Sequence, residues 1–219
     1  MTNYLITGAN RGIGLELCRQ LSSKDNIIFA TCRKVSKELK SLKVNIISNV
    51  DISNGNSVVE ISNSLGNSKI NVLINNAGIY ENNQLINLDP ESILRQFQVN
   101  ALSPLCLTTA LIPKIESSGK IIFITSRMAS IEDNTSGGSY GYRMSKIALS
   151  MAAKSLAIDL YPRNIAIGIL HPGLVSTQMT GYNGISTYDS AKGLIERIND
   201  LCLENSGQFL HQDGTNLPW

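Results

Sequence analysis

The stretch YLITGANRGIG, residues 4–14, runs from an apolar, strand-forming segment straight into a turn carrying Gly8, Gly12 and Gly14. Behind the turn, Ile13, Leu17 and Leu21 recur at spacing four, which puts them on one face of a helix over 12–23. Strand, glycine turn and helix in this order make the first half of a crossover unit. Further runs rich in Ile, Leu and Val lie at 27–31, 44–50, 70–75, 120–125 and 165–170. They do not alternate with polar residues, as expected of strands buried on both faces. Between them, helical spacing predicts helices over 58–65, 90–111, 142–160 and 189–204. Such alternation implies right-handed crossovers and a doubly wound parallel α/β sheet with helices on both faces. At 219 residues, one domain spanning 1–219 is expected. Function is then expected at the carboxyl ends of the strands.

Composition narrows the partners. A net charge of +2 with 42% hydrophobic residues offers no basic stripe, so nucleic acid is not an expected partner. Cys18, Cys32, Cys106 and Cys202 form no CxxC pair, and His171 and His211 are the only histidines, so no metal site or disulfide framework is expected. The start MTNYLITGAN is unlike a secretory leader and no apolar run approaches 18 residues, so a cytoplasmic protein without membrane contact is expected.

The glycine turn carries the first functional signal. Backbone amides at the start of a helix, with no side chains in the way, suit a pyrophosphate, and a strand–turn–helix context makes that reading specific to a dinucleotide. An acid at the end of the second strand would select NAD through the ribose hydroxyls. That strand instead ends in ATCRK, residues 30–34, and Arg11 stands inside the turn. Guanidinium groups at Arg11 and Arg33 suit a 2′-phosphate, so NADP is the expected cofactor.

The second signal is GSYGYRMSK, residues 138–146, where Tyr142 and Lys146 stand one helical turn apart. A phenol ionises near pH 10, and a neighbouring ammonium favours phenolate, bringing the group toward acid/base work near neutral pH. Alone, such a pair is a common accident. It gains meaning from its company.

TGANRGIG at 7–14, NNAG at 75–78, Tyr142 with Lys146, and HPGLVST at 171–177 resemble, in order, the motifs of the short-chain dehydrogenase/reductase family. The resemblance implies a Rossmann-type fold and a catalytic set of Asn100, Ser126, Tyr142 and Lys146. In it Tyr142 is the proton donor, Lys146 tunes it and binds the nicotinamide ribose, Ser126 holds the substrate carbonyl, and Asn100 helps hold a water beside the lysine. Ser126 precedes Tyr142 by 16 residues, where the family more often has about 13; that count falls on Ala129, so a longer loop is inferred, with Ser130 as the fallback. The implied NADP contacts are Gly8, Asn10, Arg11, Gly12, Ile13 and Gly14 in the turn, Arg33, and Asp51 with Ile52 after the third strand. Asn76, Ala77 and Gly78, together with Asn75, leave room for the adenine ribose, and Pro172, Gly173, Val175 and Thr177 complete the set beside Tyr142 and Lys146. Substrate is expected against Tyr80, Glu81, Met128 and residues 180–188, with Tyr140 packing nearby.

The resemblance implies NADPH-dependent reduction of a ketone or aldehyde. The tail SGQFLHQDGTNLPW, residues 206–219, is similar to a subgroup holding the developmental signal C-factor and carbonyl reductases, which leaves a signalling protein with little turnover as the alternative. Family members pair through the helices expected at 90–111 and 142–160, so a homodimer or homotetramer is implied, with Met144 and Met151 as core or subunit contacts.

Overall fold

The computed structural model describes residues 1–22 and 25–219. Seven parallel strands, β1 Asn3–Ile6, β2 Ile27–Thr31, β3 Asn45–Ile47, β4 Ile70–Asn75, β5 Ile115–Ile124, β6 Ala166–His171 and β7 Phe209–His211, form one sheet in the order β3-β2-β1-β4-β5-β6-β7. The chain reverses its direction of travel across the sheet between β1 and β4, which opens a crevice at their carboxyl ends.

Seven helices cover the sheet: α1 Gly12–Ser22, α2 Lys37–Lys40, α3 Asn56–Leu65, α4 Pro90–Phe97, α5 Ser103–Leu111, α6 Tyr140–Asp159 and α7 Thr187–Asp200, counted among the described residues. Alternate strand residues point to opposite faces. Leu5, Leu73, Ile121, Phe123 and Ile167 pack on one side with Ile61, Leu107 and Leu149 from α3, α5 and α6. Ile6, Ile28, Ile74, Ile122 and Ile124 pack on the other with Leu17, Leu21 and Leu194 from α1 and α7. This two-sided burial explains why the strand sequences lack a polar alternation.

Several boundaries depart from the sequence expectation. The expected first helix ends at residue 23, which lies outside the described residues. The third strand is shorter than 44–50, because an edge strand finds a ladder partner only where β2 reaches it, at Phe29 to Thr31. The segment 90–111 is not one α-helix: a π turn, Gln98–Leu102, joins α4 to α5. Pro104 lacks the N–H that the Asn100 carbonyl would take in an α-helix, and its ring crowds that carbonyl, so the turn widens. The last long helix stops at Asp200 rather than 204, since Leu201 is extended and Asn205 folds back, accepting from Cys202 N at 2.8 Å and donating to Asp200 O at 3.0 Å. The short α2 and β7 were not expected; each is too brief to carry a periodic signal.

Candidate active site

At the glycine turn, Gly8 has φ +66° and a Cβ there would lie 2.9 Å from Ala77 Cα. A Cβ on Gly14 would lie 2.4 Å from the Gly8 carbonyl oxygen and 2.5 Å from Asn76 Nδ2, so only glycine lets α1 settle onto the turn. The Thr7 hydroxyl accepts the N–H groups of Asn76 and Ala77, both at 3.0 Å, and Asn76 Nδ2 donates to Thr7 O at 2.9 Å. Turn and β4 loop are thereby locked together around the first amides of α1, which has no acid in its first turn to repel an anion. This cradle fits a pyrophosphate.

From the cradle a cavity of about 2070 Å³ follows the carboxyl ends of the strands. That exceeds the ~300–1,000 Å³ of an ordinary small-molecule pocket and leaves room for a dinucleotide together with a substrate. Every residue assigned to cofactor contact from sequence lines it except Gly14, which sits behind the turn. Asn75 stays outside too, its Nδ2 donating to Thr108 Oγ1 at 3.0 Å within the core. At the far end from the catalytic set, Thr31, Cys32 and Arg33 present no carboxylate. Asp51 accepts from Ser53 N at 3.0 Å and Ser53 Oγ at 2.7 Å, and its Oδ2 lies 3.9 Å from Arg33. The Ser53 hydroxyl, above all, holds its carboxyl below the usual range, and Arg33 adds to this. Arg11 donates to the Gln178 side chain across the cavity mouth.

The catalytic candidates meet at the end of β5. Ser126 and Tyr142 both line the cavity, and Ser126 accepts from Met128 N at 3.1 Å. Ser130 does not serve there: its hydroxyl donates to Trp219 O at 3.2 Å and accepts from Asp133 N at 3.0 Å. The longer loop is held by those bonds and by Arg143, which donates to Ser136 Oγ at 2.9 Å and Gly138 O at 3.2 Å. Lys146 donates to Ile124 O at 2.8 Å, with its Nζ 5.7 Å from the Tyr142 ring centroid. Asn100 stands behind the wall, its carboxamide spent on Ile79 and on Ser145 Oγ at 3.0 Å. Gly78 covers both: a Cβ there would lie 3.1 Å from Asn100 Oδ1 and 3.6 Å from Lys146 Nζ.

Burial dominates the electrostatics of this corner. It pushes the Tyr142 phenol up to about 12, with the Ser126 hydrogen bond pulling the other way, and pushes the Lys146 ammonium down to about 8. The sequence expectation of a phenol brought toward neutrality is therefore corrected: desolvation is the largest influence on it and raises its pKa. The result is a phenol that keeps its proton at neutral pH, ready to donate it.

These motifs stand in a chain whose residues 2–186 match the family profile described as short chain dehydrogenase. The chain belongs to the short-chain dehydrogenase family. Within that family, it is similar to 1-hydroxy-2-glutathionyl-2-methyl-3-butene dehydrogenase of Rhodococcus sp. strain AD45, 33% identical with 100% of both chains covered. It is 41% identical to the C-signal of Myxococcus xanthus over 68% of this chain and 93% of that protein. Its fold superposes on the NADPH-bound carbonyl reductase from chicken fatty liver with a TM-score of 0.91 at 28% identity, covering 100% of this chain and 99% of that one. Short-chain dehydrogenases bind a nicotinamide cofactor, in keeping with the cradle.

Sequence reasoning missed His171 as a feature of this dehydrogenase site. It lines the cavity, its Nδ1 is buried without a partner, and its ring meets His211 edge-on at 5.1 Å. Burial first, then His211, hold its pKa down to about 3. Between its ordinary value near 6.5 and about 3, the unfolded chain binds a proton there that the folded chain refuses, so stability falls with pH through that window. Denaturant titrations at pH 7 and pH 4 should show a loss on the order of 3 kcal/mol that His171→Phe removes. Equal acid sensitivity of the two proteins would refute this assignment.

No helix among the described residues is long and apolar enough to cross a membrane, and no group of three or more potential metal ligands occurs among them. Met144 and Met151, weighed as core or subunit contacts, are 51% and 65% exposed on α6, so neither belongs to the core.

Proposed function

We propose that this chain is an NADPH-dependent oxidoreductase that reduces a ketone or aldehyde, and oxidises the alcohol in reverse. The observation that carries the reading is Ser126 and Tyr142 together in one cavity, with a buried Lys146 one helical turn from Tyr142 and a phosphate cradle at the cavity's start. Nicotinamide supplies the hydride when bound. Ser126 donates a hydrogen bond to the substrate oxygen, and Tyr142 gives that oxygen its proton as negative charge develops there. Lys146 binds the ribose and compensates the phenolate left behind. Asn100 fixes the backbone beside Lys146 and helps keep a water there for reprotonation.

The 2′-phosphate falls to Arg33 and Arg11, Asp51 and Ile52 take the adenine, Asn76 to Gly78 the adenine ribose, and Pro172 to Thr177 the carboxamide. NADPH bound to the chicken-liver carbonyl reductase supports the cofactor choice. Tyr80, Met128, Leu174, Met179 and Tyr182 give the remaining cavity an aromatic and apolar wall, suited to a moderately apolar carbonyl compound. Four free thiols suit a reducing cytoplasm.

The test follows NADPH absorbance with a panel of aldehydes, ketones and diketones, wild type beside Tyr142→Phe. Consumption by the wild type alone supports the reading. Tight NADPH binding with no turnover across the panel would overturn it in favour of a signalling role like that named for the C-signal. Exposed Leu94 and Phe97 on α4, Leu102 in the π turn, and Met144 and Met151 on α6 support pairing of two copies. Light scattering at micromolar concentration should therefore give at least twice the chain mass of 23.8 kDa.

A further inference from the structure

Gln96 and Asn100 are four residues apart, and both are fully buried where helical polar residues are ordinarily solvated. Each uses its carboxamide as a two-bond clamp on one backbone residue. Asn100 Oδ1 accepts from Ile79 N at 2.8 Å while its Nδ2 donates to Ile79 O at 2.9 Å. Gln96 Oε1 accepts from Glu81 N at 3.1 Å while its Nε2 donates to Glu81 O at 3.0 Å. Residues 79 and 81 thus face the helix with their backbones, and Tyr80 between them is held from both sides.

The Tyr80 side chain reaches the catalytic corner. Its ring meets Tyr142 edge-on, centroids 5.3 Å apart and planes at 79°, and its hydroxyl lies 3.1 Å from Ser139 Oγ. Ser139 precedes α6 in a left-handed conformation, φ 49° and ψ 41°, and its side chain makes no capping bond to the helix. Its hydroxyl serves Tyr80 instead. Gly141 lets the start of α6 close on the Gln96 clamp, since a Cβ there would lie 2.6 Å from both Asn83 Oδ1 and Gln96 Nε2.

We infer that Tyr80 is a positioning residue for Tyr142: clamped by Gln96 and Asn100 and anchored on Ser139, it fixes the tyrosine ring so that the hydroxyl stays turned toward Ser126. The kinetic arm of this inference rests on the reductase reading; the spectroscopic arm does not. Tyr80→Leu removes ring and anchor together, while Tyr80→Phe keeps the ring edge and loses only the bond to Ser139. With a carbonyl substrate found, Tyr80→Leu should lower kcat by about 10–100-fold with KM within about threefold, and Tyr80→Phe should fall between it and wild type. In parallel, tyrosine labelled at 13Cζ gives a Tyr142 resonance, assigned by its loss in Tyr142→Phe. It should be single and sharp in wild type and broadened or doubled in Tyr80→Leu. Unchanged kcat with a raised KM would make Tyr80 only a substrate wall, and a single sharp Tyr142 resonance in Tyr80→Leu would equally overturn the inference. A wild type that turns over nothing sinks the reductase reading, and the resonance still decides the brace.

Discussion

Tyr142→Phe is expected to lower kcat by about 10³-fold while NADPH binding changes by less than about threefold. The substitution removes one oxygen and leaves the ring, its edge contact with Tyr80, and Lys146 in place. What is lost is the proton donor: a hydride cannot add to a carbonyl carbon at useful rate unless the oxygen is neutralised as it gains charge. Burial sharpens the prediction. With the phenol pushed up to about 12, the donor stays protonated across the usable range, whereas Lys146, down to about 8, loses its charge within it. Reduction should therefore be level below pH 8 and decline above it, the limb reporting Lys146 rather than Tyr142. A wild-type rate that keeps rising from pH 8 to 10, or a phenylalanine variant retaining a tenth of the wild-type kcat, would rule out this assignment of donor and tuner.

The parts of this site legible in sequence are those whose chemistry depends on local spacing. Gly8 and Gly14 are readable because a backbone turn that must pass close to another segment of the chain excludes Cβ whatever the surroundings. Tyr142 and Lys146 are readable because a helix puts positions four apart together. Pro104 following Asn100 by four already encodes the widened turn, a signal open to anyone asking which carbonyl the proline leaves without its donor. Gln96 carries no such signal. A glutamine on a helix is ordinarily solvated, and only the tertiary path of residues 79–84 buries it. Ser139 and Tyr80 are likewise joined across 59 positions. The rise of the Tyr142 phenol is hidden from the sequence for the same reason: a neighbouring lysine is visible there, whereas desolvation is a property of everything packed around it.

The other large effect concerns the choice of cofactor. Arg33→Ala is expected to weaken NADPH by about 10–100-fold, and Arg11→Ala with Arg33→Ala by more, while NADH affinity changes little; each charged hydrogen bond to phosphate is worth about 1.5–3 kcal/mol. Neither arginine is committed elsewhere at much cost. Arg33 faces Asp51 at 3.9 Å with both side chains largely exposed, a surface pair of small worth, and Arg11 holds only a neutral glutamine. Both are thus free to turn to a phosphate dianion, and ATCRK, residues 30–34, adds no acid to the Asp51 carboxylate that already faces Arg33. Asp51 stays ionised beside Arg33, so the preference should weaken as salt screens the exposed guanidinium. Isothermal titration of both cofactors against wild type and variants, at two ionic strengths, measures all of this. If wild type binds NADH at least as tightly as NADPH, the guanidinium groups are solvated bystanders, and discrimination must come from the ribose hydroxyls instead.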